Sequence, residues 1–478
     1  MLAHLINPRP RIALLGTYID LYNTALPGHR EKMTEFARHA AGCLSPHADV
    51  DRIGICTLTE QVADFVEKAG QSACDALVVM SLGYTNSLIL RDALLRARLP
   101  IVLFNTQIAR EVNRDFSYQA MADNHGMQGI QDIASVLVRN GRAFGIVTGL
   151  VGECGTIAGL MEHLAAARAQ RLAHGSIIAS FTPPMAGMGD TQADPDDLDR
   201  VFGIRHVNVP PALIAEGARA ATAAEISARI GADKALFEID PALTPADHER
   251  SVRLEIALRK LVLEHRFAGI ALSFDQITEC PGIETQPFLG VCKLMGEGVS
   301  YAGEGDILTT ASGILAQRLC GGVNFTEMYT MDFVTNSVLD THMAECNLEM
   351  RRRDRKPRLM RKEFHLARCE PFAAPAFSLE PGEITLFNLT QIPGGRFRFI
   401  TLECRVDDFD DLKAFTIPNF KVAFQRDLRQ ILNEYSLLGG THHMSMVYGH
   451  HARRFQMLAR HFGCDYAGIP NQHDGGCK

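Results

Sequence analysis

The first 150 residues alternate short β-rich runs with longer amphipathic stretches, and few architectures accept that rhythm. Strands are expected at Arg11–Leu15, Arg52–Cys56, Ala76–Met80, Ile101–Phe104 and Ala143–Val147. Helices are expected near 29–42, 59–70, 86–97 and 119–140. A helical crossover returns the chain to the same end of the sheet, so strands separated in this way pair in parallel. Such a sheet is covered on both faces, and its strands read as near-continuous apolar runs. A doubly wound domain follows, with its ligand edge at the carboxyl ends of the strands. Gly16-Thr17-Tyr18 sits at that edge without the GxGxxG spacing, so no dinucleotide is implied.

After a helical stretch at 153–172 the same rhythm resumes. Strands are expected at Ser176–Phe181, His206–Val209 and Gly269–Phe274, and helices near 223–233 and 243–265. The stretch Thr182–Asp197, rich in Pro, Gly and Asp, reads as a long loop. Beyond about 365 the texture changes to strands at Phe377–Leu379, Ile384–Leu389 and Phe397–Val406, punctuated by Pro381-Gly382 and Pro393-Gly394-Gly395. That pattern is antiparallel β, a small barrel or sandwich. The chain has 478 residues, beyond the size at which one core stops growing. The expectation is α/β: two doubly wound parallel-sheet domains, at 1–174 and 175–320, then an antiparallel barrel-like domain at 321–478.

Charge excludes some functions. A net charge of −7 argues against a general nucleic-acid binder. The basic stretch Arg351-Arg352-Arg353-Asp354-Arg355-Lys356 reads as a solvated or interface loop in preference to a phosphate site. No apolar run approaches a membrane span, and MLAHLINPRPRIALLG lacks the pattern of a secretory leader. The 12 cysteines are scattered without a CxxC pair and read as reduced thiols, which fits the cytoplasm.

Four short segments in the second half carry the chemistry: GEGD at 303–306, FTEMY at 325–329, THM at 341–343 and THHMS at 441–445. They offer Glu304, Glu327, His342 and the adjacent His442 and His443. Two carboxylates and two imidazoles suit a divalent cation, and mixed oxygen and nitrogen ligation favours Mn²⁺ or Co²⁺, with Mg²⁺ as an alternative, over a structural zinc. A carboxylate beside such a cation can also move a proton next to a polarised oxygen. Singly, each segment has a plainer explanation, a turn or a satisfied core histidine. The histidine pair behind Gly439-Gly440 is harder to explain that way. Neighbours on a turn project differently, so one ring can meet a metal while the other meets a substrate.

In order and spacing these segments resemble those of the L-arabinose isomerase family: GEGD before a helix, then E-x-Y-T, H-M and G-G-x-H-H. Pro287–Asp306, Asn105-Thr106-Gln107, Asn124-His125-Gly126 and Lys356-Pro357-Arg358-Leu359 also resemble stretches of that family. The resemblance implies an aldose–ketose isomerase, an intramolecular oxidoreductase working on a linear pentose or hexose through an enediol. It implies Glu304, Glu327, His342 and His443 as metal ligands, with the two glutamates doubling as acid and base. His442, His125, Tyr329 and Met343 are implied around the substrate, and the roles of His442 and His443 are interchangeable at this point. It further implies a homo-oligomer, a hexamer, in which the N-terminal domain of one subunit reaches the active site of another and His125 enters that pocket.

Some positions depart from the family. Its first turn reads G-S-Q-H-L-Y, whereas this chain has Gly16-Thr17-Tyr18-Ile19-Asp20-Leu21-Tyr22, and Met328 replaces an acidic residue beside Glu327. The segment after Leu359 also differs. These departures fall on specificity loops and leave the sugar open. Two other readings accept the same residues. One is an enzyme of the wider L-fucose isomerase-like group, acting on a deoxy or longer sugar. The other is a non-catalytic sugar-binding protein built on two α/β lobes.

Overall fold

The computed structural model describes residues 9–409, 412 and 414–471; the first eight residues of the N-terminal stretch discussed above lie outside them. Contacts divide the described chain into two units. One holds the N-terminal residues to Leu172 together with Arg454–Cys464, and the other holds Ala173–Arg453 and the chain from Asp465.

The N-terminal unit is a five-stranded parallel sheet of β1 (Arg11–Thr17), β2 (Asp49–Cys56), β3 (Ala76–Ser81), β4 (Ile101–Asn105) and β5 (Gly145–Thr148), in the order β2-β1-β3-β4-β5. β3 is buried along its whole length, as a strand covered on both faces must be. The helix Thr59–Gln71 buries Val62, Phe65, Val66 and Ala69, one face of a 3.6-residue repeat. The helix expected over 119–140 is instead two, Tyr118–Asp123 and Gly126–Arg139. Asn124 interrupts it: its Nδ2 donates to the Ala120 carbonyl and its Oδ1 accepts from the Ala109 N–H, each at 2.7 Å.

The larger unit begins with β6 (Ile177–Ser180), β7 (Arg205–Asn208), β8 (Glu238–Ile239), β9 (Gly269–Ala271) and β10 (Ser300–Ala302). All but β8 form a second parallel sheet, ordered β10-β9-β6-β7. β9 is shorter than expected because Phe274 opens a helical turn, Phe274–Ile277. The loop after β6 ends earlier than expected, where Asp194 caps the helix Pro195–Phe202. The helix Ile307–Cys320 is buried on every side up to Leu319. Such a helix needs partners all round, and it packs on β9 and β10 on one side and on barrel strands on the other.

The rest is β11 (Asn324–Asp332), β12 (Ser337–Thr341), β13 (Arg358–Lys362), β14 (Phe372–Ala376), β15 (Gly382–Ile392), β16 (Arg396–Val406), β17 (Asn419–Ala423), β18 (His443–Tyr448) and β19 (Asp465–Ile469). Six of them close an antiparallel barrel, β15-β18-β11-β12-β17-β16 and back to β15, with β19 added in parallel on β16. The parallel α/β sheets and antiparallel barrel are the expected fold. The barrel starts at β11, earlier than the change of texture near 365. The strand expected at Phe377–Leu379 lies earlier, as β14, whose edge position tolerates Pro375.

The basic stretch is paired at the surface: Arg352 meets Asp354 and Asp408, and Arg353 meets Glu349. No helix among the described residues is long and apolar enough to cross a membrane.

Candidate metal centre

GEGD forms the tight turn between β10 and the buried helix Ile307–Cys320. Gly303 has no room for a side chain, since a Cβ there would stand 2.6 Å from the His342 ring. Glu304 is left-handed at φ 60°, unusual for a residue with a Cβ and a mark of a position held for another purpose. Gly305 follows at φ 72°, tight against the backbone of Pro183 and Pro184. Asp306 caps the helix, accepting the Thr309 N–H at 2.8 Å.

The other three segments meet because β11 runs between β12 and β18. Glu327 on β11 is paired with Thr341 at the end of β12 and with His443 at the start of β18. His342 follows Thr341 directly, and the Phe325 ring packs edge-on against His342 and His443, 4.8 Å from each.

Both buried rings are held from behind. Nδ1 of His342 lies 2.9 Å from Glu345, which also accepts the Tyr301 hydroxyl at 2.7 Å. Nδ1 of His443 lies 2.9 Å from Asp306. Each Nε2 therefore turns inward, toward Glu304, at 3.9 Å for His342 and 3.5 Å for His443. Glu304 Oε2, His342 Nε2 and His443 Nε2 are buried without a hydrogen-bond partner. Buried polar atoms are almost always satisfied, so three orphans facing one point fit a bound cation. Ligand atoms of Glu327, His342 and His443 lie within 4.8 Å of one another, as do those of Glu304, His442 and His443.

Burial opposes ionisation of Glu304, but the imidazoles of His442, His443 and His342 outweigh it and hold its pKa below the usual value. Burial likewise pushes the His342 pKa down, and Glu345, Glu304 and Glu327 more than reverse that. The Glu304 carboxylate, helped by Asp190 against the cost of burial, raises the His442 pKa to about 9. Burial also raises Asp190, but its bonds to His442 prevail and lower it. Two buried imidazole nitrogens and a carboxylate facing one point are the donor set that suits a divalent cation.

Tyr329 lies two residues beyond Glu327 on β11 and is 43% exposed. Burial, with Glu327, Glu345 and Glu304 adding to it, pushes its hydroxyl pKa up. Met343 packs against the apolar cluster of Phe274, Phe288, Phe364 and Phe372. His125 belongs to the N-terminal unit, where its Nδ1 lies 3.2 Å from the Tyr22 hydroxyl and its ring lies 5.5 Å from that of Tyr84. Sequence reasoning missed Asp190, Asp306, Glu345 and Tyr301. A cavity of about 570 Å³ opens at the carboxyl ends of β6 and β7, lined by Thr182, Pro183, His206, Asn208 and Gly305.

Residues 178–320 match a family model described as the L-arabinose isomerase central domain, and residues 322–465 match the L-arabinose isomerase C-terminal domain. The chain is 26% identical over 448 residues to an L-arabinose isomerase of Nocardioides sp., covering 86% of this chain and 85% of that one. It is also 26% identical to one from Clavibacter sepedonicus, over 52% of this chain and 49% of that one. A periplasmic solute-binding protein from Actinobacillus succinogenes, solved with D-allose, is 14% identical over 65% of this chain and 92% of its own; its TM-score of 0.18 carries no weight.

Proposed function

The chain belongs to the L-arabinose isomerase family, and from that premise we propose that it is a metal-dependent aldose–ketose isomerase acting on a linear pentose or hexose through an enediol. The observation that supports the metal dependence is the set of three buried atoms on Glu304, His342 and His443 that face one another without a hydrogen bond. With Glu327 these residues would hold one divalent cation, Mn²⁺ ahead of Co²⁺ or Mg²⁺. When bound, such a cation polarises the sugar oxygens and acidifies the neighbouring C–H.

The chain's own groups then move the proton. Glu304, facing the rings of His342, His442 and His443, is the candidate to accept it from carbon. Glu327, on the strand between the two histidine segments, is the paired acid: it protonates the adjacent carbon and then recovers the proton held by Glu304, while the hydroxyl hydrogen passes from one sugar oxygen to the other. His442, less buried than its neighbour, faces the sugar, with Tyr329 and Met343 beside it. We take the functional domains as 1–174, 175–320 and 321–478, and the working form as a cytoplasmic homo-oligomer, a hexamer by resemblance, without nucleic-acid or membrane partners. The fucose isomerase-like and non-catalytic readings are not favoured, because the matched models describe an arabinose isomerase.

The test is to strip metal with a chelator, restore Mn²⁺, Co²⁺ or Mg²⁺, and screen aldoses and ketoses for interconversion. Stripped protein should keep its far-UV circular dichroism and lose turnover, since the ligands stand on the barrel and on the turn before a buried helix, whose cores do not depend on the cation. No interconversion with any pairing of metal and sugar would sink the proposal.

A further inference from the structure

His342 and His443 each have a buried carboxylate behind Nδ1, close by in the chain or in an adjoining turn. His442 has a carboxylate behind Nδ1 as well, an exposed one from elsewhere in the chain. Asp190 lies on the loop 182–194 that follows β6, 252 residues away in sequence. Its Oδ2 accepts two hydrogen bonds from His442, from the backbone N–H at 2.9 Å and from ring Nδ1 at 2.7 Å. An ionised carboxylate only accepts, so Nδ1 carries the hydrogen and Nε2 is the nitrogen turned toward Glu304, at 3.5 Å. The same loop is pinned a second time, where the Met185 N–H donates to the Glu304 carbonyl at 2.8 Å.

This loop therefore grips both sides of the centre. Besides Asp190, the His442 ring, 31% exposed, meets Glu304 through Nε2 and the His443 ring at 4.1 Å between centroids, and Asp190 is the group that holds its Nδ1 side and its backbone. A freed ring has two destinations. It could swing out toward solvent, or it could compete with His443 for Glu304, since both rings approach the same carboxylate oxygen.

We propose that Asp190 is a positioning residue: it clamps His442 by ring and backbone and reserves that ring for the sugar, leaving the cation to Glu304, Glu327, His342 and His443. This rests on the isomerase reading. The clamp acts on substrate binding, so its loss appears mainly in KM.

The experiment compares Asp190→Ala, Asp190→Asn, His442→Ala and the Asp190→Ala/His442→Ala double variant, each reconstituted with Mn²⁺. Asp190→Ala should raise KM about tenfold, the usual scale for removing a group that orients a ligand. Its kcat should stay within about threefold of wild type, since the proton-moving groups are untouched. The double variant should be no worse than His442→Ala, and Asp190→Asn should recover part of the loss, because its amide oxygen in the place of Oδ2 still accepts both bonds, though without the charge. Calorimetric Mn²⁺ titration should give Asp190→Ala an affinity within about threefold of wild type, in contrast to His443→Ala. Multiplying penalties in the double variant, or an Asp190→Ala affinity as low as that of His443→Ala, would overturn the proposal. A crystal structure of Asp190→Ala separates the two readings. An unmoved His442 ring overturns the clamp whatever the activity, whereas a displaced ring in a protein that isomerises no sugar sinks only the isomerase reading.

Discussion

An imidazole has two nitrogens, and whatever holds one decides what the other can do. Glu345 behind His342 and Asp306 behind His443 leave each Nε2 bare and aimed at Glu304. An amide in place of either glutamate can still offer an oxygen to a cation but cannot take up a proton. Glu304→Gln and Glu327→Gln should therefore each lose about 10²–10⁴-fold in kcat, the range expected for general acid–base catalysis. Mn²⁺ affinity, measured in the same preparations, should fall far less than activity. Near wild-type turnover in both variants would mean that other groups move the proton. At this scale the sequence displayed the groups that face inward and hid most of those that hold them. Glu345 lies three residues past His342 and Asp306 closes the GEGD segment, so both stand beside the singled-out residues, but nothing in the sequence marks them as the groups behind the rings. Asp190 lacks even that nearness, because only the folded loop brings it to His442.

The elements explain why segments far apart in sequence converge. β11 lies between β12 and β18, so Glu327 has the end of β12 on one side and His443 on the other. A slip of one residue would turn Glu327 to the opposite face. The long hairpin of β15 and β16 was legible from Pro393-Gly394-Gly395, whose two glycines take left-handed φ values of 84° and 64°. The pairing of β11 with β18 was not legible, because barrel closure rather than a local turn sets it. Closure also places Asp340 on β12 in the interior, fully buried, with Oδ1 unpaired and Thr326 3.4 Å from Oδ2. Burial raises its pKa well above 3.8. The native state thus binds this proton more tightly than the unfolded chain. The resulting stability is complete below the unfolded pKa and is lost as pH climbs from there toward the folded pKa. Asp340→Asn should remove that slope, worth at most about 1.4 kcal/mol per pH unit. Urea unfolding at pH 5, 6.5 and 8 should show a gap between variant and wild type that grows in favour of asparagine. A constant gap would show that Asp340 does not titrate differently in the two states.

Across the whole molecule, the α/β rhythm was legible because each strand–helix unit is local, with its apolar period written in consecutive residues. Long-range grouping was not: Arg454–Cys464 joins the N-terminal unit from the far end of the chain. The same limit applies to assembly. The resemblance to the family implies that His125 would serve a pocket completed by a neighbouring subunit. It stands at the N-cap of the helix Gly126–Arg139, its ring engaged by Tyr22 and Tyr84. If the pocket is shared, two inactive proteins can repair each other. His125→Ala carries an intact metal site, and Glu304→Gln carries an intact N-terminal half. After random subunit exchange, about one site in four would combine two intact halves, and activity should recover toward that fraction of wild type. Native mass spectrometry of the mixture verifies exchange and reports the number of subunits. The same mass measurement on dilution should show activity falling as the assembly dissociates, even with Mn²⁺ in excess. No recovery in a fully exchanged mixture would place His125 outside any shared pocket and leave the site to a single chain.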